Sequence, residues 1–151
     1  MFVKVRSISI IGLNTIGVDV EVMITKRGLP CFDIVGLPAK SVDESRHRVK
    51  MSFLNCGLDF PSGEKIVVNL APADVHKDGS FYDLPIALSI LCAQYGVKVP
   101  PSSLFFGELS LDGTVRHVRG SLLLSLYAAE NGINNVFVPY ECVREASSIQ
   151  K

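Results

Sequence analysis

Residues 2–25 alternate apolar and polar side chains over two runs, FVKVRSISII and GVDVEVMIT, divided by Gly12, Asn14 and Gly17. A period of two places every second side chain on one face of an extended chain, so the runs predict two strands joined by a turn. A sheet thus begins at the first residues, and the rest of the chain must cover its apolar face.

Cys31 to Val35 forms a third short run and leads into Gly36-Leu37-Pro38, where proline ends strand pairing and suits the first turn of a helix. The spacing predicts one helix reaching about Asn55, with Val42, Val49, Phe53 and Cys56 on one face. Its start lies either at Pro38 or at a capping box made by Ser41 and Glu44. The β-branched run at 65–70 reads as a buried strand that empties into the loop 71–80, the most distinctive part of the chain. A second helix begins near Tyr82, because Pro85 then falls in its first turn. Leu84, Ala87, Leu88, Leu91, Cys92 and Tyr95 are its expected core stripe, and Gly96 with Pro100-Pro101 stops it. Residues 104–111 and 114–118 read as strands about Asp112-Gly113, a dipeptide that tolerates the positive φ angles of a tight hairpin turn. A third helix at 121–131 ends at Gly132, and a last strand at 135–139 precedes a short polar tail. The mixed order of strands and helices predicts a two-layer α/β sandwich of the α+β class.

At 151 residues, 48% hydrophobic and 20% charged, the chain has the size and composition of one packed domain and not of a disordered one. Lysine plus arginine and aspartate plus glutamate number 15 each, so the whole-molecule field draws it neither to phosphate nor to an anionic membrane, and any nucleic-acid contact must be local. Cys31, Cys56, Cys92 and Cys142 lie far apart, with no metal-binding spacing, and are expected as reduced, buried thiols. The N-terminus does not read as a signal peptide, and no stretch approaches the roughly 20 apolar residues of a membrane span, so the expected compartment is the cytoplasm, with no membrane partner.

Several segments together resemble the ComM-type, magnesium-chelatase-like family. They are Gly28-Leu29-Pro30 with Val35-Gly36-Leu37-Pro38, Glu44-Ser45-Arg46 with Arg48-Val49, and Val68-Asn69-Leu70-Ala71-Pro72-Ala73-Asp74. They continue through Lys77-Asp78-Gly79, Asp83-Leu84-Pro85-Ile86-Ala87-Leu88 and Gly107-Glu108-Leu109-Ser110-Leu111-Asp112-Gly113, so that the resemblance covers nearly the whole chain. It implies a ribosomal-protein-S5-domain-2-like fold, related to the proteolytic domain of Lon, over residues 1–151. It further implies a place ahead of an AAA+ ATPase module in a longer, hexameric protein tied to DNA branch migration and natural transformation. ATP and magnesium are then implied for the full-length protein and no cofactor for this domain. The end at Lys151, after a strand and the start of a polar segment, fits a chain that continues into that module.

Lon proteases carry a serine nucleophile in P-K-D-G-P-S-A-G and a lysine base after the hairpin G-E-I-T-L-x-G. Laid on that pattern, His76 to Asp83 puts Phe81 at the nucleophile position and Ser80 one residue early. One residue at a helix start turns a side chain by about 100°, so Ser80 aims elsewhere. Leu122 stands where the lysine base belongs, and no lysine occurs between Lys98 and Lys151. A serine without a neighbouring base is a poor nucleophile at neutral pH, and arginine, always protonated, is no base. Phe81 and Leu122 therefore read as a degenerate dyad, Ser80 as a helix-capping hydroxyl and Lys77 and Asp78 as loop residues. Ser80 and Lys77 are kept as the catalytic candidates of the opposing reading, a divergent Lon-type peptidase. The histidines, His47, His76 and His117, show no triad spacing.

A phosphate-cradling loop needs G-x-x-x-x-G-K-[ST], and the chain has no Gly-Lys dipeptide, so ATP is not expected at these residues. Two basic groups are available to DNA phosphates. Lys40, Arg46, His47, Arg48 and Lys50 are interleaved with Asp43 and Glu44 and read as a solvated helix face. Arg116, His117 and Arg119 have no acidic residue after them until Glu130 and are the preferred nucleic-acid contacts. Neither group is interleaved with aromatic residues. The leading expectation is a non-catalytic module that assists assembly or DNA positioning in a ComM-like ATPase; a free-standing nucleic-acid or protein adaptor is the other alternative.

Overall fold

The computed structural model describes residues 1–149. The two alternating runs form β1 (Phe2–Ile11) and β2 (Asn14–Thr25), paired antiparallel with Val5 opposite Val20 and Ile11 opposite Asn14 at the turn. β2 pairs antiparallel with β4 (Lys65–Ala71), and β3 (Cys31–Val35) lies parallel to β4 at the far edge, so the sheet order is β1-β2-β4-β3. Parallel neighbours require a crossover, and here two helical pieces make it, α1 (Lys40–Asp43) and α2 (Ser45–Asn55). The expected single helix is thus interrupted at Glu44; it starts at Lys40, just after Pro38, and the Ser41–Glu44 capping box does not form. Ser41 spends its hydroxyl on Asp78, and the fully buried Ser45 turns to Asp83, so contacts with the next helix override the local capping pattern.

Val18, Val20 and Val22 of β2 and Ile66, Val68 and Leu70 of β4 are buried to 1% exposure or less, and α3 (Asp83–Tyr95) packs across β1 and β2, with α2 beside it. The expected α3 stripe is rotated. Ile86, Ser89, Ile90, Cys92 and Ala93 are buried, whereas Leu84, Ala87, Leu88 and Leu91 are half-buried along an apolar groove of about 150 Å³ shared with Phe53 and Leu58, and Tyr95 is exposed. A helix apolar on nearly every side gives periodicity no face to choose.

The run at 104–111 divides into β5 (Ser103–Phe105), parallel to β8 (Asn135–Phe137), and β6 (Glu108–Leu109), antiparallel to β7 (Val115–Arg116). Between them the Phe106 and Gly107 N–H groups donate to the carbonyls of Phe137 and Phe81, both at 3.0 Å, so the chain changes partners in mid-run. The β6–β7 turn is one residue longer than a two-residue Asp-Gly hairpin. Ser110 N–H reaches the Thr114 carbonyl at 2.9 Å, Gly113 N–H returns to Ser110 at 3.0 Å, and Gly113 has φ 91°. A turn followed by a left-handed residue is the usual three-residue solution.

Ser7, Ile8 and Ser9 are buried in succession although alternate side chains leave opposite faces. The second face is covered at this end by α4 (Ser121–Glu130), whose Tyr127 hydroxyl fills the space a side chain at Gly17, opposite Ile8, would need. Elsewhere that face is open, with Lys4 and Arg6 paired to Asp19 at 3.5 and 3.4 Å and the exposed Phe2 opposite Met23. The expected polar tail is instead a 3₁₀ turn, Tyr140–Cys142, and a short α5 (Val143–Ala146), because Cys142 is drawn fully into the core with its Sγ 3.5 Å from the Val118 carbonyl. Cys92 and Cys142 are buried thiols; Cys31 is half-buried and Cys56 exposed, against the expectation of four buried ones. With helices packed on open sheets in mixed order, the fold is α+β.

Candidate functional site

The loop 71–80 is fastened at three points. Lys77 N–H donates to the Leu37 carbonyl at 3.1 Å while Ala39 N–H donates to the Lys77 carbonyl at 2.8 Å, which seats the loop beside the corner between β3 and α1. The Lys77 side chain is fully enclosed, and its Nζ donates to the carbonyls of Gly36, at 2.7 Å, and Pro72. Burial pulls its pKa below the ordinary lysine value, with Asp74 acting in the opposite sense. Lys77 is therefore a buried pin and not the solvated loop residue its surroundings in sequence suggest. Ser41 donates to Asp78 at 2.5 Å and accepts from Gly79 N–H at 3.0 Å; its hydrogen bond holds the Asp78 carboxyl below the usual range. On the third side Ser9 donates to the His76 carbonyl at 3.1 Å.

The loop runs into a 3₁₀ turn, Ser80–Tyr82, that leads directly to α3. Ser80 forms no side-chain cap; its hydroxyl donates to Glu108 of β6 at 2.5 Å, because the turn lies against that strand and a carboxylate is the stronger acceptor. Phe81 is buried and stacks on Phe106 with ring centroids 4.2 Å apart. Tyr82 is wholly buried beside it, and burial drives its phenol well above the ordinary value.

Asp83, the first residue of α3, is fully buried. It accepts from Arg48 Nε at 2.6 Å, Arg48 Nη2 at 3.0 Å, Ser45 at 2.5 Å and the Leu109 N–H at 3.0 Å. Burial raises its pKa, opposed by Arg48, Ser45 and the Leu109 amide, while the Asp83 hydrogen bonds hold the guanidinium in its charged form. One ion pair thereby ties α2, α3 and β6 together. Arg48 also lies 3.8 Å from Glu44, and Arg46 pairs with Asp43 at 2.8 Å, so the two arginines of the first basic group are engaged within the molecule and only part of that group is a solvated face.

Arg116 stands directly across β6–β7 from Glu108, the acceptor of Ser80. A side chain at Gly120 would meet Phe106, the ring that stacks on Phe81. The structure therefore gathers Ser80, Phe81, Glu108, Arg116 and the start of α4 at one side of the domain. Lys77 is fastened away from Ser80, and Leu122 lies partly exposed on the first turn of α4. Arg116, His117 and Arg119 are all exposed, and none is in an ion pair among the described residues. Sequence reasoning missed Asp83, Arg48 and Glu108 as a connected set. The available signal was an aspartate opening an otherwise apolar helix, since acidic residues are rarely buried unless paired.

Chemically this arrangement offers a serine hydroxyl bound to a carboxylate and an aromatic ring filling the adjacent space. Among the described residues, no group of three or more His, Cys, Asp or Glu side chains is placed to hold a metal ion. Residues 20–142 match the family described as subunit ChlI of Mg-chelatase, a span that takes in the loop 71–80, α3, the β6–β7 hairpin and α4. The chain belongs to this family, in its ComM-type, magnesium-chelatase-like group. Similar ChlI-family relatives include an uncharacterized protein of Mycobacterium tuberculosis, 41% identical over 147 residues that make up 95% of this chain and 28% of that protein. YifB of Salmonella typhimurium, also uncharacterized, is 38% identical over 143 residues, 93% of this chain and 28% of its own length. Competence protein ComM of Haemophilus influenzae is 37% identical over 134 residues, 87% and 26% of the two chains. The ChlI-family chain thus spans little more than a quarter of the length of these relatives.

Proposed function

We propose that this ChlI-family chain is a non-catalytic module of a longer ComM-like AAA+ ATPase, where it assists ring assembly and the placement of DNA. The observation that carries the reading is the content of the place where a Lon-type dyad would stand. Phe81 falls at the nucleophile position and packs into the core, and Ser80 beside it is bound to Glu108, with no amine or imidazole partner among the described residues. A carboxylate is a far weaker base than the amine of a Lon-type dyad, so the hydrogen bond to Glu108 does not replace the missing lysine. The name of the Haemophilus relative, a competence protein, supports DNA as the partner, and the exposed Arg116, His117 and Arg119, in no ion pair among the described residues, are side chains suited to phosphate.

ATP and magnesium belong, on this reading, to the ATPase part of the longer protein. The donor set here does not suit a nucleotide, since no Gly-Lys dipeptide exists to build a phosphate cradle. The setting is the bacterial cytoplasm; no helix among the described residues is long and apolar enough to cross a membrane. Two experiments test the proposal. The full-length protein with and without this module should differ in ATP-dependent hexamer formation and in DNA affinity, followed by sedimentation, while the truncated protein still hydrolyses ATP. Hydrolysis of a fluorogenic peptide by the chain, abolished in Ser80→Ala, would overturn it and establish the divergent peptidase.

A further inference from the structure

We propose that Tyr140 is a base-stacking platform for single-stranded DNA, carried on a turn packed against β7, where the exposed side chains of Arg116, His117 and Arg119 take the phosphates. The inference rests on the reading of this chain as a module that places DNA, and it names the form of DNA and the residue that selects it. In sequence the basic segment has no aromatic neighbour, and the fold supplies one. The 3₁₀ turn Tyr140–Cys142 lies against β7, which ends at Arg116.

That turn is rigidly held. Cys142 is fully buried, its N–H donates to the Pro139 carbonyl at 2.8 Å, and its Sγ meets the Val118 carbonyl at 3.5 Å, inside the basic segment. Tyr140, two residues before this anchor, is nevertheless 92% exposed. A tyrosine ring held clear of the protein adds almost nothing to folding, yet it presents a large flat surface with little rotamer entropy to lose on binding. A lone exposed aromatic is ordinary; Tyr140 shares its side of the domain with two exposed arginines and the exposed His117, none of them in an ion pair among the described residues.

Acidic groups stand close by and keep their charge: Glu108, across from Arg116, accepts the Ser80 hydroxyl, Asp112 at the hairpin turn accepts the Thr114 N–H at 2.9 Å, and Glu141 is exposed next to Tyr140. They temper the pull of Arg116 and Arg119 on phosphate, which the exposed Arg144 of α5 reinforces, so the ring carries the preference for single strands. Cations tracking a backbone next to an aromatic ring form the pattern that binds single strands with little sequence preference, because every base offers a π face. A duplex keeps its bases stacked on one another, so the ring favours unpaired DNA while the cations serve both forms.

The chain contains no tryptophan, so Tyr140→Trp introduces a single indole whose emission reports this position alone. Titration with an oligothymidylate should quench that emission, whereas inorganic polyphosphate should compete for binding without quenching. Measured by anisotropy, Tyr140→Ala should weaken single-strand binding roughly tenfold and leave duplex binding and the salt slope unchanged, while Tyr140→Phe restores it. DNA binding that depends on Arg116 and Arg119 yet neither quenches the indole nor responds to Tyr140→Ala would overturn this inference alone. Failure of the wild-type chain to bind any DNA would instead overturn the reading beneath it.

Discussion

Lys77 shows how far one residue can depart from the character of its neighbours. Its loop is rich in small and polar residues, which predicts solvent, yet its ammonium is enclosed and donates to the backbone carbonyls of Gly36 and Pro72. Lys77→Met keeps much of the volume and removes the donor, and it should cost about 1–3 kcal/mol in urea unfolding, the usual penalty for stranding buried acceptors. The pH dependence has a definite sign. Burial lowers the folded-state pKa of Lys77, so between that value and the ordinary value of about 10.4 the unfolded chain holds a proton that the folded chain lacks. This contribution to stability rises with pH through the window and is lost as pH falls through the folded value. The deficit of Lys77→Met against wild type should therefore widen from neutral pH toward about pH 10. At Asp83 a charge is buried with its partner, and Asp83→Ala should cost about 3–5 kcal/mol because Arg48 is left uncompensated. Replacing both by apolar residues of similar volume should recover most of that loss.

At the scale of elements, the parts of the fold written as periodicity were legible and the parts set by partner choice were not. β1, β2 and β4 follow from alternation and β-branching, and α3 and α4 from apolar runs with clear stops. The break at Glu44 depends on Ser45 reaching Asp83, 38 residues onward, and the division of 104–111 depends on carbonyls of Phe81 and Phe137; no local window contains those contacts. Of the candidate site, the resemblance offered Phe81 and Leu122 as degenerate positions, while its supports, Arg48, Asp83 and Glu108, were invisible in sequence. Tyr140 was hidden for the same reason, since only the turn against β7 brings it to the basic segment. The stacked pair of Phe81 and Phe106 gives this region a direct test. Phe81→Ala should destabilise by about 3–5 kcal/mol through the cavity it leaves. Phe81→Ser should be similarly destabilised and still fail to cleave a fluorogenic peptide, because the change supplies a hydroxyl without a base.

For the whole molecule, balanced net charge means that DNA affinity must come from a local surface or not at all. Two basic groups existed as candidates, and the structure separates them. Arg46 and Arg48 are engaged by Asp43 and Asp83, whereas Arg116, His117 and Arg119 stand free of ion pairs among the described residues. The proposal therefore places DNA on the side of the domain that carries Arg116, His117 and Arg119. The most direct test is a salt titration of DNA binding by the chain, read as log affinity against log salt with single-stranded and forked oligonucleotides. Each phosphate neutralised contributes roughly 0.7 to 0.9 to the slope, so Arg116→Ala with Arg119→Ala should flatten it by about one or two such contacts, while Arg46→Ala, whose guanidinium Asp43 already engages, should change it less. Tight binding whose slope ignores the Arg116 and Arg119 replacements would contradict the account.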